Sequence, residues 1–178
     1  MLSDRLAALL SRRDIHYGWV MVAVTFLTAL VSAGAVGAPG VFIVPLQQEF
    51  GWSPAEISSA LSIRFILFGL MAPFAAALMN RYGLRNIALA GQLLIGSSLI
   101  ASITMTQVWQ LIALWGVAVG IGTGLTALVL GATVAARWFS ERRGLVVGIL
   151  TASVATGQLL FLPVLASLTL SFFEWDLL

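Results

Sequence analysis

The chain contains 178 residues, of which 60% are hydrophobic and 9% are charged, and its formal net charge is +2. An average soluble domain is about 25% charged, so this composition excludes a soluble globular enzyme, a disordered protein and a nucleic-acid-binding domain. It predicts an integral membrane protein. Because the sequence contains no cysteine, a disulfide framework, a cysteine-ligated zinc and a thiol nucleophile are also excluded.

The apolar stretches predict an all-α membrane protein with five spanning helices. A spanning helix needs about 20 apolar residues, and the charge-free segment 86–136 is long enough for two, with a break at its most polar run, 104–107. The stretches are continuously apolar rather than alternating, which argues against lipid-facing strands. The predicted helices cover residues 17–46, 57–79, 86–105, 108–136 and 144–170. Residues 1–16 are predicted to form a cytoplasmic tail, and residues 171–178 an outer tail or the start of a sixth helix.

The arginines determine the predicted orientation. All nine basic residues are arginines, and eight of them precede the first helix or lie in the loops after the second and fourth helices. Because Lys and Arg accumulate in cytoplasmic loops, we expect the N-terminus to be cytoplasmic. The loops are short, so consecutive helices should be antiparallel neighbours, and stripes of glycine and alanine on the first, fourth and fifth helices suit close packing in lipid.

Arg64 is the charged residue predicted to lie inside a span, roughly 12 Å along the second helix at 1.5 Å per residue. Ionisable residues at such depth are costly and usually face a cavity or a partner. All seven acidic residues fall outside the predicted spans, so none of them pairs with Arg64. Three interpretations remain open. The guanidinium binds an anionic substrate, it snorkels to the outer interface or bonds to carbonyls, or it pairs with a carboxylate outside this sequence.

Hydroxyl side chains are further candidates for substrate binding. Thr25, Thr28 and Ser32 occur at i, i+3 and i+7, which places them on one face of the first helix. Thr123 and Thr126 are the corresponding candidates on the fourth helix. Each hydroxyl could bind substrate or simply form a hydrogen bond between helices. The predicted spans contain no cysteine, histidine or acidic residue, so the sequence predicts no metal site, no cofactor and no enzyme active site.

The loop after the second predicted helix reads Asn80-Arg81-Tyr82-Gly83-Leu84-Arg85. It resembles the signature loop between helices two and three of the major facilitator superfamily, Gly-x-x-x-Asp-Arg-x-Gly-Arg/Lys-Arg/Lys. Arg81, Gly83 and Arg85 match this pattern, whereas Asn80 stands in place of the aspartate. The first glycine of the pattern and one of its basic positions are not matched.

Four further motifs fit this resemblance: Tyr17-Gly18-Trp19-Val20, Phe50-Gly51-Trp52-Ser53, Gly120-x-Gly122-x-Gly124 and the segment 137–144. Together they look like the branch that contains monocarboxylate transporters and oxalate–formate antiporters. A complete transporter of this kind resembles two six-helix halves. The chain is therefore expected to be five helices of a six-helix facilitator-type half-bundle, truncated before the sixth helix, with the missing half-bundle or another membrane chain as its partner.

The resemblance implies transport of a small solute by alternating access, and Arg64 indicates that the solute is an organic anion such as a carboxylate. The alternative is a truncated, transport-inactive membrane fragment or assembly partner. The expected location is the lipid bilayer of the bacterial inner (plasma) membrane, as a multi-pass protein. The resemblance also places the first and fourth helices along the central cavity. The proton-coupled monocarboxylate transporters share a lysine in the first helix, and the absence of lysine here argues against that coupling.

The signature loop is predicted to act in gating. In the family, the aspartate at the position of Asn80 faces a helix end and nearby arginines and helps to hold one conformation. Asn80, Arg81, Gly83, Arg85 and Arg137 are therefore the predicted gating residues. Asparagine keeps the hydrogen bond but loses the charge, which predicts a weaker inner gate. The three arginines could also serve simply as determinants of membrane topology.

Overall fold

The computed structural model describes residues 18–126 and 128–175, and every regular element within these ranges is helical. The helices are α1 (Gly18–Phe50), α2 (Pro54–Tyr82), α3 (Leu84–Ser102), α4 (Val108–Trp138) and α5 (Arg143–Trp175). Helices α2 to α5 are long and apolar enough to cross a membrane, and α1 begins with a shorter apolar stretch, Gly18–Gly34. The all-α membrane fold predicted from the sequence is confirmed.

Two of the predicted helix ends differ from the structure at the turn between α1 and α2. α1 continues to Phe50 and α2 begins at Pro54, so Glu49 and Glu56 lie in terminal helical turns rather than in a loop of ten residues. Both carboxylates are exposed. They therefore remain at the surface of the bundle, where water can solvate their charges.

The end of α5 also differs from the prediction. The helix continues to Trp175, so residues 171–175 of the segment predicted as an outer tail or the start of a sixth helix belong to α5. The residues after position 170 include no glycine or proline that would end a helix. The predicted cytoplasmic tail, residues 1–16, and residues 176–178 lie outside the described residues.

The turn between α1 and α2 is built from local signals. Gly51 adopts a positive φ of 68°, which a residue with a side chain rarely adopts. Ser53 caps α2 in a capping box, because its hydroxyl accepts a hydrogen bond from the Glu56 amide and the Glu56 carboxylate accepts one from the Ser53 amide. The rings of Phe50 and Trp52 stack across the turn with centroids 4.5 Å apart. This motif thus fixes a tight helical hairpin.

Helix α4 is the centre of the bundle. It packs on α2 and α3 along its first part and on α1 and α5 along its second, whereas α1 makes its most extensive contact with α5. Glycines permit these close approaches. A Cβ at Gly122 would lie 3.0 Å from the carbonyl oxygen of Gly91 on α3, and one at Gly157 would lie 2.6 Å from the Leu30 carbonyl oxygen on α1. Small residues therefore bring the helices together, as expected in lipid.

Buried apolar side chains form two clusters at opposite ends of the bundle. The first contains Leu46, Ile57, Ala60, Met105, Leu111 and Trp115. The second contains Val22, Val134, Ala135, Val146 and Leu150. Large apolar side chains also cover the outside, and those of Leu93 and Leu159 are 71% and 75% exposed. An apolar exterior of this kind suits a lipid environment.

The described arginines other than Arg64 lie at one end of the bundle. They are found in the last turn of α2, the first turns of α3 and α5, the last turn of α4 and the loop that follows it. These residues are Arg81, Arg85, Arg137, Arg142 and Arg143. This end is the one that the positive-inside rule assigns to the cytoplasm. The cytoplasmic orientation stays a prediction, since the three arginines of the N-terminal tail lie outside the described residues.

Candidate functional site

Arg64 lies in the interface between α2 and α4, and it is 2% exposed. Gly120 of α4 faces its backbone so closely that an added Cβ would lie 3.1 Å from the Arg64 Cα and carbonyl oxygen. One turn earlier, Gly116 faces the carbonyl oxygen of Ala60 at the same distance. The glycine stripe of α4 therefore covers this side of α2. Such deep burial argues against a guanidinium that snorkels to the outer interface.

The Arg64 guanidinium has no hydrogen-bond or ion-pair partner among the residues that the structure describes. The guanidinium carbon lies 5.8 Å from the centroid of the Phe65 ring. A buried charge is costly unless it is paired and hydrogen-bonded. Bonding to backbone carbonyls, one of the structural roles considered from the sequence, is therefore not observed in the described part of the chain.

A second unpaired donor lies nearby in α4. Trp115 is 8% exposed. Its indole Nε1–H is buried and has no acceptor within the described residues. An unsatisfied buried donor costs about 1–3 kcal/mol. The Phe42 ring of α1 packs edge-to-face on the indole, with centroids 5.8 Å apart and an interplanar angle of 77°. This contact holds the plane of the indole.

Trp115 lies in a π-helical turn, Ile112–Ala118, within α4. The Val119 amide donates to the carbonyl of Leu114, five residues earlier, which is the hydrogen bond of a π-helix. Such turns are rare and frequently occur at functional sites. The apolar periodicity of the sequence contains no signal for this turn, and sequence reasoning missed both it and Trp115 as a candidate residue.

On α1, the predicted polar face is directed towards α3. Gln92 of α3 donates from Nε2 to the Thr28 carbonyl oxygen over 3.0 Å and to the Ser32 hydroxyl over 2.8 Å. Sequence reasoning did not select Gln92, although an amide inside an apolar span was an available signal. Thr25 and Thr28 also line a groove of about 400 Å³ with Gln92 and Arg85. The structure thus brings Thr25, Thr28 and Ser32 together with α3.

The hydroxyl protons of most candidate residues are already engaged. Thr28 donates to the Val24 carbonyl, and Ser32 donates to the Thr28 carbonyl. On α4, Thr123 and Thr126 are almost fully buried and donate to carbonyls of their own helix. The Thr126 methyl group also faces Gly91 of α3. In this arrangement the four hydroxyls can accept a hydrogen bond but are not free to donate one to an anion.

The predicted gating residues adopt a defined geometry at the end of α2. Gly83 has a φ of 87°, a backbone conformation that favours glycine, and it ends α2 and precedes α3 directly. Arg137 of α4 donates from Nη2 to Oδ1 of Asn80 over 2.8 Å. The Arg81 guanidinium lies 5.3 Å from the centroid of the Tyr82 ring. The structure therefore joins Asn80 and Arg137, whereas Arg85 lies exposed at the groove beside α1.

Metal ligands are not grouped in the described part of the chain. No three histidine, cysteine, aspartate or glutamate residues lie together there. The candidate site is therefore one of hydrogen-bond donors, with Arg64 and the indole of Trp115 as its unpaired members.

The family model of the Major Facilitator Superfamily matches residues 25–178. The chain belongs to the major facilitator superfamily. The five-helix arrangement and the signature loop at Asn80–Arg85 agree with this membership, and the resemblance stated from the motifs is confirmed. This superfamily consists of transporters rather than enzymes, as the sequence predicts.

Curated relatives place this facilitator chain close to the monocarboxylate-transporter branch. Monocarboxylate transporter 9 of Mus musculus is 28% identical over 150 residues, which are 83% of this chain and 29% of that protein. Monocarboxylate transporter 7 of Homo sapiens is 28% identical over 145 residues, 82% of this chain and 27% of that protein. Monocarboxylate transporter 1 of Bos taurus is 30% identical over 160 residues, 90% of this chain and 31% of that protein. The chain thus spans less than a third of the length of these relatives.

Family membership and the apolar helices together make this an integral, multi-pass membrane protein. The relatives named above are mammalian proteins. They give no support to the bacterial inner membrane as the location, which stays a prediction from the sequence.

Proposed function

We propose that this chain, as part of a full-length facilitator, transports a small organic anion such as a carboxylate by alternating access. Arg64 is the residue that binds the anion. The observation that carries this proposal is the Arg64 guanidinium, which is buried between α2 and α4 without an acidic or hydrogen-bonding partner among the described residues. The proposed partners of the chain are the anion, the lipid bilayer and the second half-bundle or another membrane chain.

A carboxylate matches the chemistry of this position. Guanidinium presents its donors as a planar fork that binds a carboxylate through two parallel hydrogen bonds. An anion that enters the bundle would neutralise the charge of Arg64, and binding would thereby offset the cost of burying it. The names of the relatives as monocarboxylate transporters support an anionic substrate.

Among the candidate hydroxyls, Thr25 is the one that is free to donate in the described part of the chain. It is 4% exposed, and no hydrogen bond of its hydroxyl is found within the described ranges. It lines a cavity of about 140 Å³ between α1, α4 and α5. Thr28, Ser32, Thr123 and Thr126 would have to release a backbone carbonyl before they could donate to an anion.

The signature loop acts as the inner gate in this proposal. The hydrogen bond from Arg137 to Asn80 links the ends of α2 and α4 at the arginine-rich end of the bundle. Gly83 allows the tight connection to α3. Arg81 and Arg85 are exposed, where they are available to a second half-bundle or to lipid headgroups.

An uptake experiment tests the proposal. The full-length protein is reconstituted in vesicles, and uptake of labelled benzoate, lactate and oxalate is measured for the wild type, Arg64→Gln and Arg142→Gln. The matched control, Arg142, is an exposed arginine of the loop between α4 and α5. We expect saturable uptake of at least one anion, a loss of at least about 100-fold in Arg64→Gln because a charged hydrogen-bonding partner is removed, and little change in Arg142→Gln.

Two results would contradict the proposal. Uptake that survives unchanged in Arg64→Gln would remove Arg64 from the binding site. If the wild type takes up none of the three anions, the chain instead fits the alternative of a transport-inactive assembly partner.

A further inference from the structure

The interior of the bundle contains two buried donors without partners in the described part of the chain, and they lie in the same helix interface. Arg64 belongs to α2 and Trp115 to α4. The first is 2% exposed and the second 8% exposed, and the indole Nε1 atom itself is fully enclosed. Buried polar groups in native proteins are nearly always hydrogen-bonded. The indole N–H of Trp115 is such an exception among the described residues. Together with the Arg64 side chain, which also has no partner there, it indicates a ligand that supplies the acceptors.

The packing of α2 on α4 places the two donors at neighbouring levels. Gly116 faces Ala60, and Gly120 faces Arg64. A step of four residues along α4 therefore corresponds to a step of four residues in the same direction along α2, so the two helices are parallel. Side chains on a helix lean towards its N-terminus, and the Arg64 side chain therefore extends from the level of Gly120 towards that of Gly116. Trp115 precedes Gly116 directly and belongs to the same buried cluster as Ala60.

We propose that Trp115 is a second ligand of the transported anion, and that its indole N–H donates to the same carboxylate that Arg64 binds. This inference rests on the proposed function of Arg64. A carboxylate has about four lone-pair sites on its two oxygens. The guanidinium fork uses two of them, and one of the remaining sites accepts the indole hydrogen. Both donors are then satisfied by one small anion, which explains why the protein leaves them without internal partners.

The π-helical turn and Phe42 position the indole for this role. A π-helical turn contains one residue more than an α-helical turn. The turn Ile112–Ala118 therefore rotates the side chains before it around the helix axis with respect to the side chains after it. Trp115 can thereby pack against Phe42 of α1, while Gly116 and Gly120 remain in contact with α2. Phe42 acts as a positioning residue, since its edge-to-face contact limits rotation of the indole ring.

Equilibrium binding of labelled benzoate, lactate and oxalate to the full-length protein tests this inference. In one variant, Trp115→Phe, the aromatic ring is kept and the N–H is removed. In a second protein, residue 115 is the isostere 3-benzothienylalanine, in which sulfur replaces the N–H and the shape is retained. Trp109→Phe is the matched control, because Trp109 lies in the first turn of the same helix and is 63% exposed.

We expect the dissociation constant of the bound anion to increase about tenfold in Trp115→Phe and in the isostere, because a hydrogen bond to a charged group is lost. Trp109→Phe should change it by less than about twofold. If the isostere binds as tightly as the wild type, the inference is wrong whatever Trp115→Phe does, because the shape alone would then account for the effect.

The experiment separates this inference from the proposed function. If Arg64→Gln abolishes binding but the isostere does not weaken it, Trp115 has no role as a ligand and Arg64 keeps its role. If Arg64→Gln leaves binding unchanged, or if the wild type binds none of the three anions, the proposed function fails and the role of Trp115 fails with it.

Discussion

Arg137 at the end of α4 donates a hydrogen bond over 2.8 Å to Asn80 at the end of α2. Both side chains are exposed, and both line an open groove of about 540 Å³ between the two helices. The signature pattern of the superfamily has an aspartate at the position of Asn80. The amide offers one neutral oxygen to the guanidinium, whereas a carboxylate would offer two charged ones.

Asn80→Asp should strengthen this contact and favour the conformation in which α2 and α4 are joined. An exposed ion pair contributes up to about 1 kcal/mol, which corresponds to a shift of about fivefold in the conformational equilibrium. Because this sequence contains no cysteine, a cysteine introduced by Ala136→Cys in the same groove can report the change. Its rate of labelling by a maleimide should decrease in Asn80→Asp.

The effect of Asn80→Asp should depend on Arg137. In the background of Arg137→Gln, where the guanidinium is absent, Asn80→Asp should leave the labelling rate unchanged. If Asn80→Asp in the otherwise unaltered protein changes neither the labelling rate nor the rate of transport, the gating role of this contact is wrong.

The fold could be predicted from the sequence because the signals for spanning helices are long and redundant. The break between α3 and α4 was predicted at 104–107, and the structure ends α3 at Ser102 and begins α4 at Val108. Helix ends are governed by single hydrogen bonds and backbone angles, and these were less predictable. The apolar stretch of α2 begins at residue 57, but the capping box of Ser53 with Glu56 starts the helix three residues earlier, at Pro54. The first helical turn tolerates polar side chains.

Arg64→Met should make the protein more stable while it removes anion binding. Replacing a buried ion pair by apolar side chains is often neutral or stabilising by about 1–4 kcal/mol, and a buried charge without a partner is itself costly. For a domain of this size, each kcal/mol raises the midpoint of thermal unfolding by roughly 2–4 °C. Tryptophan fluorescence in detergent micelles can follow the unfolding, and the variant should unfold at a higher temperature than the wild type.

The matched control is Arg142→Met, in which methionine replaces an exposed arginine. A surface substitution of this kind usually changes stability by less than about 0.5 kcal/mol. A lower unfolding temperature in Arg64→Met than in the control would mean that the guanidinium has internal partners and serves the fold.

Gly122→Ala should destabilise the contact between α3 and α4. The added Cβ would lie 2.7 Å from Cγ1 of Ile95 and 3.0 Å from the carbonyl oxygen of Gly91, so the two helices must separate. Strain of this kind costs about 1–3 kcal/mol, and the unfolding temperature should decrease by several degrees.

Gly69→Ala is the matched substitution on α2, where an added Cβ meets nothing within 4 Å. Alanine is favoured over glycine in a helix by about 1 kcal/mol, so this variant should be unchanged or slightly more stable. Equal unfolding temperatures in the two variants would show that close packing at Gly122 is not needed.

The candidate site was only partly predictable, because the sequence identifies residue types but not their hydrogen-bond partners. Arg64 was evident as a charge within an apolar run. Trp115 was not, since an unpaired indole N–H depends on what surrounds it in three dimensions. The face of Thr28 and Ser32 was predicted from helical spacing, but its partner, Gln92, lies 60 or more positions away in the sequence. No periodicity within one helix can predict such a pairing.

Gln92→Leu should weaken the attachment of α1 to α3. The amide of Gln92 bonds to the Thr28 carbonyl and to the Ser32 hydroxyl, and an interhelical hydrogen bond in a membrane protein is worth about 0.6 kcal/mol, with a maximum of about 1.7. We therefore expect a loss of about 1 kcal/mol in the free energy of unfolding. Thermal unfolding of Gln92→Leu, Ser32→Ala and the double variant forms a double-mutant cycle.

The two single losses should add up to more than the loss in the double variant, because Gln92 and Ser32 contact each other directly. Ser97→Ala is the control, since the exposed Ser97 hydroxyl bonds within its own helix, to the Leu94 carbonyl, and its removal should change stability by less than about 0.5 kcal/mol. Strict additivity in the cycle would mean that the hydrogen bond between Gln92 and Ser32 does not stabilise the bundle.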